Sequence, residues 1–210
     1  MHYSIPVMVS DMLLGFGNTA TSVIIGRVGT SFVAANSIVA MLQRLCTVFT
    51  QGVGNAASTL IGNSVGKGET DTAQQQAIIL LKLTVILGLL STVLILLSGP
   101  FVLMYFHDVS QQTKDIAQTL IYAIAGMIIF QNLQSVITKG ILRGGGDTDY
   151  CLRLDAVYMW IVSIPLGILV GLVWHFPPFM VLIALRIDWI IKTIIGTRHI
   201  LKGQWIRVIH

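Results

Sequence analysis

The chain has 210 residues, of which 54% are hydrophobic and 10% are charged, and its formal net charge is +4. An average soluble domain is about 25% charged, so this composition excludes an ordinary soluble protein and indicates a membrane protein. A basic excess is also found in nucleic-acid-binding proteins. Here it is spread over alternate connections between apolar stretches, and we predict no nucleic-acid partner.

Six mostly apolar stretches are each long enough to cross a bilayer as a helix. The hydrocarbon core is about 30 Å thick, and a helix rising 1.5 Å per residue needs about 20 residues to span it. Residues 87–97 and 161–173 lack the polar stripe of a soluble helix. We therefore predict an all-α, multi-pass membrane protein with one six-helix bundle over residues 1–210. The predicted spans are 5–26, 33–62, 75–98, 114–138, 150–173 and 178–200.

The basic residues indicate which side of the membrane each connection faces. Lys67 lies between the second and third spans, and Lys139 and Arg143 lie between the fourth and fifth. By the positive-inside rule these connections face the cytoplasm. We therefore predict that both termini are cytoplasmic. We also expect the chain to lie in the plasma (inner) membrane. The tail adds Arg198, Lys202 and Arg207.

Three of the predicted spans, the first, second and fourth, carry polar residues on one helical face. Amide and hydroxyl groups facing lipid would lack hydrogen-bond partners, so these faces must meet other helices or an aqueous cavity. Both interpretations stay open, and we favour a shared polar cavity. The candidate substrate-cavity residues are Asn18, Asn36, Gln43, Gln131 and Gln134.

Asp11 is the first candidate for an ion-coupling residue. A charged side chain at the centre of a span costs about 2.5–3.5 kcal/mol, and such residues are functional by default. Asp11 lies a turn or two from the predicted cytoplasmic end of the first span, where protons and ions can reach it. The alternative is an interfacial carboxylate that only caps the helix. Asp155, near the cytoplasmic end of the fifth span, is the second candidate.

The other charged residues within the spans have weaker functional signals. Arg44 lies in the middle of the second span, and we predict that it pairs with a carboxylate or with backbone carbonyls. Asp188 and Lys192 are four residues apart on one helix, a spacing that predicts a structural ion pair. Arg186 has no partner that the sequence identifies.

One short motif suggests an enzyme, but its surroundings contradict it. Residues 144–147 match the Gly-x-Gly-Asp of intramembrane aspartyl proteases. The flanking Lys139, Arg143 and Asp149 place this turn at a boundary with water, and no neighbouring span supplies a second aspartate motif. A phosphate-binding loop is absent from the sequence, and the histidines lack metal-ligand spacing. We predict neither an enzyme nor a resident cofactor or metal.

Several motifs, in order along the chain, resemble the C-terminal half of the multidrug and toxic compound extrusion (MATE) family. Asp11 follows Pro6 by five positions, as an acidic residue, usually Glu, follows a proline in the family's seventh helix. Residues 142–148 resemble the family's connection between the tenth and eleventh helices. Further similar segments are 26–29, 34–36, 52–58 and 62–69, and Asp155, Trp160 and Pro165.

The resemblance implies half of a twelve-helix transporter in which two six-helix bundles face each other. Such antiporters export organic cations in exchange for protons or sodium ions, and the acid at the position of Asp11 is implicated in cation coupling. Besides membrane lipid, the implied partner is a complementary N-terminal six-helix bundle or a second copy of the chain. Two alternatives are a non-transporting fragment or assembly module and a lipid-linked oligosaccharide flippase of the same superfamily. The flippase would need a more cationic cavity than Arg44 alone provides.

Overall fold

The computed structural model describes residues 4–105 and 110–206, with side chains from Val7 onward. These ranges contain six long helical segments and no β-strand. Arg207 of the basic tail lies outside the described residues. The helices are α1 Ser4–Val28, α2 Thr30–Gly66, α3 Thr70–Tyr105, α4 Gln111–Leu142, α5 Thr148–Val173 and α6 Pro178–Leu201.

The helices are longer than the predicted spans, most of all α3, which has 36 residues. Hydropathy detects only the apolar part of a helix, whereas backbone hydrogen bonding continues through its polar ends. After Gly66 the chain turns at Gly68, whose φ of +78° lies in the left-handed region that favours glycine. The all-α prediction is confirmed for the described residues, and the predicted boundaries are several residues too short.

Five of the six helices, α1 to α5, are long and apolar enough to cross a membrane. The 24-residue α6 is not among them, because it includes Arg186, Asp188, Lys192 and Arg198. The sixth span, the cytoplasmic location of both termini and the single domain over residues 1–210 stay predictions.

The bundle has two apolar clusters separated by a polar layer. α2, α3 and α4 pack on one another, α1 packs on α5, and α6 contacts α4 and α5. Along α2, one cluster runs from Phe32 to Cys46, and the other begins at Ala57. The buried Thr47 and Thr50 lie between the two. The same interruption occurs in α4 at Asn132. The middle of the bundle is therefore polar, as expected for a cavity within a membrane protein rather than a uniform apolar core.

Apart from Lys82, the outer surface of α3 is apolar from Ile79 to Tyr105. Ile79, Ile86 and Leu97 are 63%, 63% and 64% exposed. Such a continuous apolar surface suits contact with membrane lipid rather than water.

Two helices contain π-helical segments, in which the turn is wider than in an α-helix. α4 ends in one at Val136–Leu142, and α5 contains two, at Tyr158–Ser163 and Leu169–Val173. A π-helical turn shifts the direction of the side chains that follow, and such turns are frequent at functional sites. No periodicity in the sequence indicates these segments, although they carry three residues of the cavity described below.

The glycine turn, residues 143–147, joins α4 to α5 and is tightly packed. Gly146 has a φ of +80°, which favours glycine. A Cβ atom on Gly145 would lie 2.3 Å from the ring of Trp205, so a larger residue would displace the C-terminal tail. Asp147 is buried and is hydrogen-bonded to His199 of α6, with 2.8 Å between Oδ2 and Nε2. The turn thus fixes α6 and the tail against the end of the bundle where α1 begins.

Candidate functional site: a polar cavity between the helices

A cavity of about 410 Å³ lies in the polar layer, with α1, α2, α4, α5 and α6 around it. Both predicted ion-coupling residues, Asp11 and Asp155, contribute to its wall, together with three of the five predicted substrate residues, Asn18, Gln131 and Gln134. Other polar residues of the wall were not singled out as site residues from the sequence. These are Thr47, Thr50, Gln51, Asn132, Ser135, Thr138, Lys139, Arg186, Asp188, Trp189 and Lys192.

The remaining two predicted cavity residues lie elsewhere. Gln43 lies beside the cavity, where its Nε2 donates a hydrogen bond to Oε1 of Gln131 and links α2 to α4. Asn36 lies in a separate groove of α2 that also contains Arg44. The structure therefore brings Asn18, Gln131 and Gln134 to one cavity but not Asn36. The role of each residue in substrate binding stays a prediction.

Asp155, Lys192 and Asp188 form a buried ionic cluster on the cavity wall, which we call the inner cluster. Lys192 Nζ lies 3.1 Å from Asp155 Oδ1 and 3.0 Å from Asp188 Oδ2. The three side chains are only 2% to 7% exposed. The predicted Asp188–Lys192 pair is therefore confirmed. The third member, Asp155, comes from α5, and only the packing of α5 on α6 brings it there.

Hydroxyl donors complete the inner cluster. Ser10 Oγ of α1 donates to Asp155 Oδ2 at 3.1 Å, and Ser163 Oγ of α5 donates to Asp188 Oδ1 at 3.1 Å. Buried charges need this kind of compensation, because removing them from water costs several kcal/mol per ion. The two carboxylates and one ammonium still sum to a formal charge of −1. Within the two described ranges, no three His, Cys, Asp or Glu side chains are arranged to hold a metal ion.

Asp11 and Arg143 form a second ionic contact, which we call the outer pair. Arg143 Nη2 donates to Asp11 Oδ1 at 2.6 Å, and Nη1 lies 3.4 Å from Oδ2. Asp11 is 54% exposed and Arg143 is 19% exposed. Burial alone lowers the pKa of Arg143, but the hydrogen bond and the charge of Asp11 outweigh it and raise that pKa above its ordinary value. The guanidinium therefore stays charged, and Asp11 has a permanent counter-ion in this conformation.

The prediction of a partner for Arg44 is wrong for the part of the chain that is described. Its side chain is exposed on α2, and no carboxylate between residues 4 and 105 or 110 and 206 pairs with it. Its neighbours Met41 and Leu45 are 59% and 63% exposed. Arg44 therefore points away from the bundle, and the cations on the cavity wall are Lys139, Arg186 and Lys192.

Comparison with known protein families identifies the chain. The family model described as MatE matches residues 6–196. The chain belongs to the MatE family. Together with the five apolar helices, this membership shows a multi-pass membrane protein of the MATE transporter family.

Three multidrug resistance or extrusion proteins that resemble this chain are about two to three times as long as it is. A probable multidrug resistance protein NorM from Xylella fastidiosa is 27% identical over 174 residues, covering 81% of this chain and 36% of the relative. The multidrug resistance protein MdtK of Edwardsiella ictaluri is 24% identical over 187 residues, covering 80% of this chain and 40% of the relative. The multidrug and toxin extrusion protein 1 of Pongo abelii is 26% identical over 169 residues, covering 80% of this chain and 29% of the relative.

Solved MATE structures share the fold. A MATE protein in complex with MaD5 superposes with a TM-score of 0.88 at 17% identity, covering all of this chain and 48% of that protein. An outward-facing multidrug resistance MATE transporter of the MOP superfamily gives a TM-score of 0.84 at 17% identity, covering 98% of this chain and 46% of that protein. The chain thus spans less than half of the proteins whose fold it shares.

Proposed function

We propose that the chain is the C-terminal six-helix half of a cation-coupled antiporter, which exports organic cations in exchange for protons or sodium ions across the plasma or inner membrane. The observation that carries this proposal is the inner cluster on the wall of a polar cavity. A transporter of this kind needs a site where a small cation binds and is released in step with the substrate. The cluster combines buried carboxylates with an adjoining space of about 410 Å³.

The formal charge of the inner cluster gives it an affinity for one more cation. Asp155 and Asp188 carry two negative charges against one positive charge on Lys192. An uncompensated charge in a low-dielectric interior is costly, so a proton or sodium ion that neutralises it is stabilised there. Loading the cluster removes negative charge from the wall and weakens the attraction for an organic cation. The two cations therefore compete, which is the requirement for antiport.

Asp11 is suited to connect the inner cluster to the aqueous phase. It lies on the same cavity wall, in the second turn of α1, and half of its surface is exposed. A cation that arrives at Asp11 competes with Arg143, which can turn toward water without leaving a buried charge. The predicted coupling residues Asp11 and Asp155 would thus act in succession, Asp11 at the entrance and Asp155 inside.

The length of the chain bears on what completes the transporter. Matched relatives extend well beyond it, since it spans 36% of the NorM protein from Xylella fastidiosa. We propose that a complementary N-terminal six-helix bundle, or a second copy of this chain, closes the open side of the cavity.

Gradient-driven efflux of a fluorescent organic cation tests the proposal. The chain, with its complementary bundle supplied, is placed in membrane vesicles, and a proton or a sodium gradient is imposed separately to identify the coupling ion. We expect Asp11→Ala to abolish efflux and Asp11→Glu to retain part of it, because Glu keeps the carboxylate. Asp115→Ala removes an exposed aspartate outside the cavity and serves as the matched control. Unchanged efflux in Asp11→Ala would exclude the coupling role of Asp11.

A second candidate is a non-transporting membrane module, favoured by the same partial coverage of the relatives. It predicts no gradient-dependent flux in the vesicle assay with any partner bundle. The lipid-linked oligosaccharide flippase ranks behind both. The cavity wall carries three cations, Lys139, Arg186 and Lys192, but three carboxylates, Asp11, Asp155 and Asp188, balance them.

A further inference from the structure

Arg44 is a cation on the outside of the bundle, at a depth that lies within the bilayer core. Gly29 joins α1 to α2, and the exposed Arg27 places this joint at the boundary with water. A rise of 1.5 Å per residue puts Arg44 about 22 Å along α2 from the joint, well inside a hydrocarbon core about 30 Å thick. Its exposed neighbours Met41 and Leu45 are apolar. The position of Arg44 therefore needs a physical explanation.

Arg44 belongs to a seam of exposed residues that runs along α2. Its members are alternately four and three residues apart, a spacing that places them on one face of a helix and is typical of helix–helix contacts. The seam consists of Ser37, Met41, Arg44, Val48, Gln51 and Asn55, all of which are exposed. Gln51 also lines the polar cavity, so the seam follows the edge of the open side of the bundle.

The seam differs from the lipid-facing surface of α3. From Ile79 to Tyr105, the exposed residues of α3 are apolar apart from Lys82. The seam instead presents a hydroxyl, two amides and a guanidinium. In lipid these groups would lack hydrogen-bond partners, and a charged side chain at this depth would be costly. The seam is therefore a surface that another protein helix covers.

The helix that covers Arg44 has to supply a negative charge at the same depth. Two oxygens of a carboxylate match two parallel N–H donors of an arginine, and charges within a membrane pair with one another. A second copy of this chain does not meet the requirement. Among the described residues, the carboxylates at membrane depth are Asp11, Asp155 and Asp188, and each already has a cation. Two copies joined seam to seam would also place Arg44 against Arg44.

We propose that the seam is the docking surface for a transmembrane helix of a different bundle, and that this helix carries an aspartate or glutamate that pairs with Arg44. The pair fixes the depth and rotation of the helix, because one register brings the two charges together. The chain covers 48% of a solved protein whose fold it shares, which leaves room for a second bundle of similar size. This inference rests on the proposed function for the need of that bundle and adds the residue that selects it.

Synthetic transmembrane peptides test the docking surface directly. Three leucine-rich helices carry Asp, Asn or Leu at their midpoint and a dansyl group at one end. Each is mixed with the 210-residue chain in lipid vesicles, and energy transfer from the four tryptophans of the chain to dansyl is measured against peptide density. We expect the Asp peptide to reach half-maximal transfer at a density about tenfold lower than the Asn peptide, the gain from one charge-assisted contact.

Matched variants show whether Arg44 reads the charge. Arg44→Gln should remove the preference for Asp over Asn, and Arg44→Lys should retain part of it, because it keeps the charge but not the paired donors. Lys82→Gln removes an exposed cation from α3, outside the seam, and should leave the preference unchanged. The Leu peptide reports on folding within each variant, since its weak binding does not depend on charge.

Three results would overturn the docking surface. They are equal transfer to the three peptides, a preference for Asp that persists in Arg44→Gln, and a dimer of the chain alone that Arg44→Gln dissociates. The first would indicate a lipid-facing seam, and the third would indicate a second copy as its occupant. Failure of the proposed function is distinct, because gradient-driven efflux would then be absent while the preference for the Asp peptide persists.

Discussion

The inner cluster and the outer pair use the same side-chain chemistry in different surroundings. In the inner cluster two carboxylates share one ammonium, and the side chains are 2% to 7% exposed. In the outer pair one carboxylate meets one guanidinium, and Asp11 is 54% exposed. Removing one partner of a buried ion pair costs about 3–5 kcal/mol, because it leaves an unpaired charge in a medium of low dielectric constant. An exposed pair contributes about 0–1 kcal/mol.

Under the proposed function, the difference suits the two sites to separate tasks. A site that controls whether the cavity is neutral or negative has to be shielded from water, as the inner cluster is. A site that passes ions between water and the cavity has to exchange partners readily, as an exposed carboxylate such as Asp11 can. The buried cluster is therefore expected to dominate stability and charge balance, and the exposed pair is expected to contribute little to either.

The largest effect is expected from increasing the negative charge of the inner cluster. Lys192→Met changes its formal charge from −1 to −2 and should lower the free energy of unfolding by about 3–5 kcal/mol. Asp155→Asn instead brings the cluster to neutrality and keeps the Asp188–Lys192 pair. Its apparent melting temperature in detergent should therefore fall much less than that of Lys192→Met. Equal losses in the two variants would contradict the charge imbalance.

The smallest effect is expected at the outer pair. A double-mutant cycle with Asp11→Asn and Arg143→Gln should give a coupling energy of about 1 kcal/mol or less, because Asp11 is 54% exposed and water screens the pair from that side. Added salt should reduce it further by screening the two charges. The measurement is the apparent free energy of unfolding of the four proteins at low and high salt. A coupling energy above about 2 kcal/mol, insensitive to salt, would show that the outer pair is as shielded as the inner cluster.

The fold class could be predicted from the sequence because bilayer thickness makes long apolar stretches diagnostic. The ends of the helices could not be predicted from the sequence, because polar residues continue each helix beyond its apolar stretch. α2 shows a second limit. Helical spacing puts Leu42, Leu45 and Phe49 on one apolar side of the helix. In the structure Leu42 faces the core and is 4% exposed, whereas Leu45 and Phe49 face outward and are 63% and 66% exposed. A membrane helix meets lipid, protein and cavity, and a two-sided pattern cannot separate these three environments.

The candidate site was predictable where its contacts are local. The Asp188–Lys192 pair follows from a spacing of four residues on one helix, and it is confirmed. The contact of Asp155 with Lys192 depends on the packing of α5 against α6, and that of Asp11 with Arg143 on the glycine turn. Lys139 reaches the cavity from a π-helical segment that the sequence does not reveal. Hydropathy therefore identifies which charges are inside the membrane, and tertiary packing decides their partners.

The most direct test of the inner cluster as the coupling site compares two kinds of dye transport in Asp155→Asn. Vesicles containing the chain and its complementary bundle are assayed for efflux driven by an imposed ion gradient and for gradient-free exchange of labelled against unlabelled dye. The variant mimics the cation-loaded, neutral cluster. It should therefore lose gradient-driven efflux, while dye exchange continues but needs a higher dye concentration, because the neutral wall attracts the cationic dye more weakly. Gradient-driven efflux at the level of the unaltered chain would contradict the account.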